Sequence, residues 1–221
     1  MLWYAVGRLG IDVGQVFIAF LVLVFSLTVH EAAHAWSADR LGDSTAKLLG
    51  RVSLNPAVHI DVVGTIVFPL IALATNVPVI GWAKPVPVNT LRLRHWRRDY
   101  MMIAAAGPAS NIVLAVIAAA ALRAAGTRPT ADVGSFAVAE PVVALLETAI
   151  LMNVLLAVFN MVPLPPLDGG NVLAGLLPAP AADVFDRIRP YGFVLLYGLM
   201  FSGILSAIIT PPARVLLSWL L

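Results

Sequence analysis

The chain contains no cysteine, which excludes disulfides, thiol nucleophiles and thiolate metal sites. Charge is scarce too: 12% of residues are Asp, Glu, Lys or Arg, about half the share of an ordinary soluble domain. Histidine occurs only four times. A metal, if there is one, must be held by His, Asp or Glu. Apolar residues take up the space instead. They make up 60% of the 221 residues, and the mean hydropathy is +0.92. They fall in long runs, which predicts an all-α polytopic membrane protein. The length suits a single domain, 1–221, and the stretches between runs leave no room for a soluble regulatory module. The net charge of +2 and pI near 9.3 do not point to nucleic acid. In a chain this apolar, Lys and Arg report which loops stay in the cytoplasm. The first apolar run is too long for a cleavable signal peptide.

Four runs read as full spans: Val13 to Val29, continuing as helix through Trp36; Tyr100 to Leu122; Val142 to Phe159; and Phe193 to Ile209. The last is followed by Pro211–Pro212 and an apolar tail whose crossing is left open. After the first helix, the alternation around Ala46–Leu54 predicts short membrane-associated β-strand. In Gly81–Asn89 (GWAKPVPVN) alternate prolines predict an extended edge segment. The run Val62–Ile80 is broken by Gly64, Pro69 and Pro78 and has basic flanks on both sides. A full crossing would place one basic flank outside, so a re-entrant segment is preferred to a span. This scheme puts the amino terminus outside and residues 39–98 in the cytoplasm of a prokaryotic cell, the chain lying in its plasma membrane.

His30-Glu31-Ala32-Ala33-His34 is an H-E-x-x-H sequence at the end of the first span. On a helix, residues four apart share a face, so both imidazoles can reach one zinc ion, and Glu31 can act as general base on water. The bland alternative is two histidines at an interface by chance. Three ionisable residues at the end of a span argue against it. A catalytic zinc takes three protein ligands, and the candidates for the third are His59, Asp61, Glu147 and Asp168. Asp168 lies in PLPPLDGG, where prolines fix the direction of the carboxylate and Gly169 and Gly170 permit close approach. Its alternative role is a helix N-cap. Asp61 is equally readable as a cap.

HEAAH at 30–34, GPASN at 107–111 and NMVPLPPLDGG at 160–170, in this order, resemble the site-2 protease family of intramembrane zinc metalloproteases. GRVSLNPAVHIDVVGT (50–65) and GWAKPVPVN (81–89) look like its compact prokaryotic subgroup, without PDZ or CBS modules. The resemblance runs from about residue 13 to 209, with a catalytic core at about 13–178. It implies one Zn²⁺ per chain bound by His30, His34 and Asp168, with Glu31 activating water and Asn160 positioning the substrate. It implies cleavage in or near a transmembrane segment of another membrane protein, a single-span one by preference, on the cytoplasmic side. It also implies that strand-like pieces in 39–59 and 81–89 offer an edge to an unwound substrate, which strand addition would suit.

Other polar residues stay open. Asn111 at the start of a span reads as a helix–helix hydrogen bond, with Gly107 permitting close packing. Asn55 and His59 form a second polar cluster that either supports the site, His59 as second ligand shell or oxyanion stabiliser, or is interfacial. His95, among arginines, reads as solvated. Trp3, Trp36, Trp82, Trp96 and Trp219 fit an interfacial belt. Two rival functions remain, a zinc-binding transporter or sensor and a non-catalytic scaffold. A prenyl-protein protease would lack the Asn160–Gly170 run.

Overall fold

A long apolar run stays helical in lipid because each backbone N–H and C=O must be satisfied within its own segment. The computed structural model of the chain describes residues 13–68, 71, 81–125 and 140–221. Helix α1 (Val13–Leu41) carries the first run. Its 29 residues reach about 43 Å, enough to cross a hydrocarbon core of about 30 Å. It stops at Gly42, where φ is +113°; Asp43 N–H donates to Ala38 O (2.9 Å) and Gly42 N–H to Asp39 O (3.3 Å). That left-handed residue and its paired bonds close the last turn. A short helix α2 (Thr45–Leu48) follows, then α3 (Trp96–Ala124), α4 (Glu140–Asn160), α5 (Asp168–Leu176), α6 (Ala179–Ile188), α7 (Gly192–Phe201) and α8 (Ile204–Leu220).

The bundle is built on α3, which packs against α1, α4 and α5. Its interior is lined by small residues, Ala35, Ala38, Ala104, Ala115, Ala118, Ala119 and Ala157 among them, with Ile103, Ile150 and Val154. Small side chains let helix backbones approach where lipid offers no hydrophobic drive for association. Large apolar groups face outward instead: Phe17, Phe20, Leu21 and Phe25 form an exposed stripe at helical spacing along α1. A soluble protein would bury such a stripe. This one is a multi-pass membrane protein.

Among the described residues, three helices are long and apolar enough to cross a membrane, 14–41, 96–124 and 141–160. The expected fourth span is not one straight helix. Residues 180–201 and 204–220 pass the test only together and meet at a 78° bend. The break falls at Gly203, with φ +77°, while Pro211 and Pro212 sit inside α8 and do not end it. Of the segment expected to be re-entrant, Val62–Val67 forms a short π-helix capped by Asp61, whose Oδ1 accepts from Val63 N–H (3.1 Å) and Gly64 N–H (2.8 Å). Its residues 69–70 and 72–80 lie outside the described residues.

The short β-strands expected after the first helix are not there: among the described residues there is no strand. The alternation of 46–54 is cut by a helical turn at 45–48 and by Gly50, whose φ is +71°. Consecutive Leu48 and Leu49 are both exposed, so no single face is buried. Residues 81–89 make isolated backbone bonds and no ladder: Trp82 N–H to Gly64 O (3.2 Å), Lys84 N–H to His59 O (2.8 Å) and a turn bond from Arg92 N–H to Asn89 O (3.0 Å). Pro85 and Pro87 have no N–H to continue a ladder. Arg51 takes the strand's place. Its buried guanidinium donates to the carbonyls of Val58, Lys84 and Pro85, tying the two loops together.

Asp43 anchors the same region. Fully buried, it accepts from Thr45 N–H (3.1 Å), the Thr45 hydroxyl and Asn89 N–H (2.6 Å). Burial pushes its carboxyl up, but the Thr45 and Asn89 hydrogen bonds, helped by the charge of Arg92, outweigh it and hold the carboxyl below its ordinary range. A depressed folded value stabilises fully above the unfolded value of about 3.9, and that contribution is lost as pH falls through the folded value. Asp43→Asn is therefore expected to cost roughly 1–3 kcal/mol at neutral pH. In thermal melts the gap from wild type should narrow below about pH 4. A gap that stays constant down to the acid limit would contradict the assignment.

Candidate metal centre

His30 and His34 stand one turn apart on the inner face of α1, both buried. His34 lies seven residues (41 − 34) from the end of the helix, about 10 Å from the end that carries the polar loops. Asp168 reaches them from the first position of α5. The N-cap position there is Leu167, so the carboxylate is not used as a cap. The turn before it brings it in: Gly170 N–H donates to Leu167 O (3.0 Å), and a Cβ on Gly169 would overlap the Met161 carbonyl. Gly169 thus serves close packing of α5 on the 161–165 turn.

The three side chains converge on one point. His30 Nε2 and His34 Nε2 are 3.0 Å apart, and Asp168 Oδ2 lies 3.1 and 3.3 Å from them. The far nitrogens decide what these atoms are. His34 Nδ1 lies 2.7 Å from Ile103 O, a carbonyl that can only accept, so the proton is on Nδ1. His30 Nδ1 lies 2.6 Å from Asn111 Oδ1. In the neutral form, protonated at Nδ1, both imidazoles point Nε2 lone pairs inward at the buried Asp168 Oδ2, which has no partner outside the triangle. Three acceptors facing one another in this way repel unless a cation joins them. A four-coordinate zinc with bonds of ~2.0–2.1 Å spaces its ligand atoms roughly 3.3 Å apart, which this triangle matches. Among the described residues this is the group of His, Asp and Glu side chains placed to hold a metal. Glu31, also buried, follows His30 directly on α1.

Gly107 of α3 backs onto the site. A Cβ there would lie 2.5 Å from His30 Nε2 and closer still to His34 Nε2. Asn111, one turn further along α3, is fully buried. It was read as a helix–helix contact, and its Nδ2 does donate to Asn153 Oδ1 (2.8 Å) on α4. Its Oδ1, however, accepts from His30 Nδ1–H, which orients a candidate metal ligand as well. Asn153 and Ser26 went unnoticed in the sequence. Their signal was there: each is a polar residue inside an apolar run, and such groups in a span need partners.

The remaining candidates fall elsewhere. Asn160, at the end of α4, donates to Leu156 O (3.0 Å). Asn55 is exposed and caps the turn 56–58, accepting from Ala57 N–H (3.0 Å). His59 is buried; its Nε2 donates to Ser53 O (2.8 Å), and its Nδ1 has no partner. It lines a small cavity with Thr28 and Thr65 and is not part of the ligand triangle. Trp36, Trp96 and Trp219 are exposed, as an interfacial belt requires. Trp82 instead packs edge-on against Phe68 (4.9 Å between ring centres) and Phe193 (6.0 Å). Trp3 lies outside the described residues.

An H-E-x-x-H helix whose metal set is closed by a carboxylate from a distant helix, inside a bundle of apolar helices, defines a membrane-embedded metallopeptidase. Comparison with known proteins narrows this. The sequence profile of peptidase family M50 matches residues 129–202, which include Asp168. A Bacillus subtilis (strain 168) protein named "Putative zinc metalloprotease YwhC" is 34% identical over 191 residues, covering 86% of this chain and 83% of its own. Proteins with the same description, named Rip2, are 27% identical in Mycolicibacterium smegmatis and 28% identical in Mycobacterium tuberculosis. This chain spans 66% and 65% of their lengths. No solved structure gives a significant match. The chain belongs to peptidase family M50, the site-2 protease family of intramembrane zinc metalloproteases.

Proposed function

We propose that His30, His34 and Asp168 hold one zinc ion, and that with Glu31 they hydrolyse a peptide bond in or near a transmembrane segment of another membrane protein. The observation that carries this reading is the triangle of His30 Nε2, His34 Nε2 and Asp168 Oδ2, 3.0–3.3 Å on a side, on an H-E-x-x-H helix. Zinc held there supplies Lewis acidity to the attacking water and the scissile carbonyl. Glu31 takes the proton from that water and passes it to the leaving amine. Asn160 positions the substrate, its amide turning away from Leu156 O to do so. The catalytic core is residues 13–178 of a single domain.

The site works from the cytoplasmic side of the cell membrane. Arg40, Lys47, Lys84 and Arg92, Arg94, Arg97 and Arg98 all cluster at the end of α1 and the start of α3, the end nearer the ligands. An open groove of about 340 Å³ lies there between Val29, Ala32, Ala33 and Trp36 of α1 and residues 52–54. Its mostly apolar lining, which includes Ala32 and Ala33 of the H-E-x-x-H turn but none of the proposed ligands, suits a single-span substrate segment as it unwinds.

The test is a cleavage assay in detergent on a panel of single-span substrates, with zinc removed and restored. Activity should be lost with zinc and return with it. Asp168→Ala should weaken zinc at least about 100-fold, measured by competition with a chromophoric chelator. Zinc bound as tightly to that variant as to wild type would refute the ligand set.

A further inference from the structure

Behind His30 the buried polar atoms form one directed chain through three helices. Asn153 Nδ2 on α4 donates to Ala149 O (2.9 Å) and to Ser26 Oγ (2.9 Å) on α1. A backbone carbonyl can only accept, so the amide nitrogen of Asn153 must face it and its Oδ1 must face Asn111. Asn111 therefore presents Nδ2 to Asn153 Oδ1 (2.8 Å), with Ser26 O a longer second acceptor at 3.4 Å. This leaves Asn111 Oδ1 facing His30 Nδ1. Ser26 and Asn111 are 0% exposed and Asn153 is 2% exposed, so no solvent competes for any of these groups.

We infer that Asn153 is a positioning residue for the metal centre. Acting through Asn111, it locks His30 in the tautomer whose Nε2 lone pair faces the ion. Without it, the amide of Asn111 is oriented only by the 3.4 Å contact to Ser26 O. A turned amide offers N–H to His30 Nδ1 and drives the imidazole proton to Nε2, where a ligand must have none. Every turned molecule is lost to metal binding. The inference rests on the ligand set proposed above and adds a residue on a helix that carries no ligand.

Zinc affinity of the full-length protein in detergent tests it, by chelator competition, with melting of the zinc-free protein recorded beside it. Asn153→Leu should weaken zinc roughly 10–100-fold, the usual range for partners behind a metal ligand. Asn153→Asp should recover most of the loss, because a protonated carboxyl keeps an acceptor for Asn111 and a donor for Ala149 O. A purely structural Asn153 would give a lower melting temperature with zinc affinity unchanged in the folded protein, and that result overturns the inference. Should Asn153→Leu not fold, Ser26→Ala carries the test, since it removes one of the two acceptors that orient Asn153. It should weaken zinc severalfold, and unchanged affinity overturns the inference. Wild type and His34→Ala serve as the reference pair. If they bind zinc equally, the ligand set itself has failed, which is a different outcome from a silent Asn153→Leu.

Discussion

Gly107→Ala is expected to strip the protein of zinc, with an affinity loss of more than about 100-fold and cleavage falling with it. The new methyl would lie 2.5 Å from His30 Nε2 and nearer still to His34 Nε2, far inside contact distance. The imidazoles cannot back away. Their Nδ1 atoms are tied at 2.6 Å to Asn111 and 2.7 Å to the Ile103 carbonyl, both on the same helix as the intruding methyl. Either a ligand bond is lost or α1 and α3 separate. Gly198→Ala is the matched control. A Cβ there meets nothing within 4 Å, so zinc content should be unchanged. Metal analysis of both purified variants settles the point, and a Gly107→Ala protein that holds a full zinc complement would show that the ligand triangle is misplaced.

Glu31→Gln should separate metal binding from chemistry. The amide keeps the size of the side chain but cannot take a proton, so the cleavage rate should fall by about 10²–10⁴-fold. Zinc should remain, because the three proposed ligands are His30, His34 and Asp168 and the hydrogen bonds behind the two imidazoles do not involve residue 31. Single-turnover assays on zinc-loaded protein read the two effects apart. Undiminished cleavage would remove Glu31 from the mechanism. Loss of zinc together with activity would make it part of the metal set and not the base.

Much of the site was legible because its chemistry imposes spacing. Two imidazoles can share an ion from one helix only at three or four residues apart, and His30 and His34 obey that. Asp168 announced itself through its setting, since paired glycines and flanking prolines are costly unless a backbone must approach closely. The structure uses both features, with Gly169 against Met161 and Gly170 against Leu164. What could not be read was partnership across helices. Asn111, Asn153 and Ser26 sit in separate apolar runs, and nothing along the chain says that their side chains meet. The fold was legible at the level of long runs and failed where short segments were judged by alternation. Around Ala46–Leu54 the pattern was right for a strand, yet a strand needs a partner with donors, and the prolines at 85 and 87 remove them. The last run held as an apolar stretch, but its bend was not legible. Its hydropathy is continuous across Gly203, but a left-handed residue turns the chain there whatever the hydropathy.

The proposed ligand set is completed late in synthesis. His30 and His34 enter the membrane with the first helix, but Asp168 emerges from the ribosome 134 residues (168 − 34) later. Chains are made from the amino end at about 5–20 residues per second, so a nascent polypeptide carries two-thirds of its metal set for many seconds before the last oxygen arrives. During that interval the unfinished protein lies among other freshly inserted membrane helices, the very kind of chain it would cut. Splitting the proposed ligands between an early and a late stretch of the sequence keeps the blade unassembled until its sheath is built.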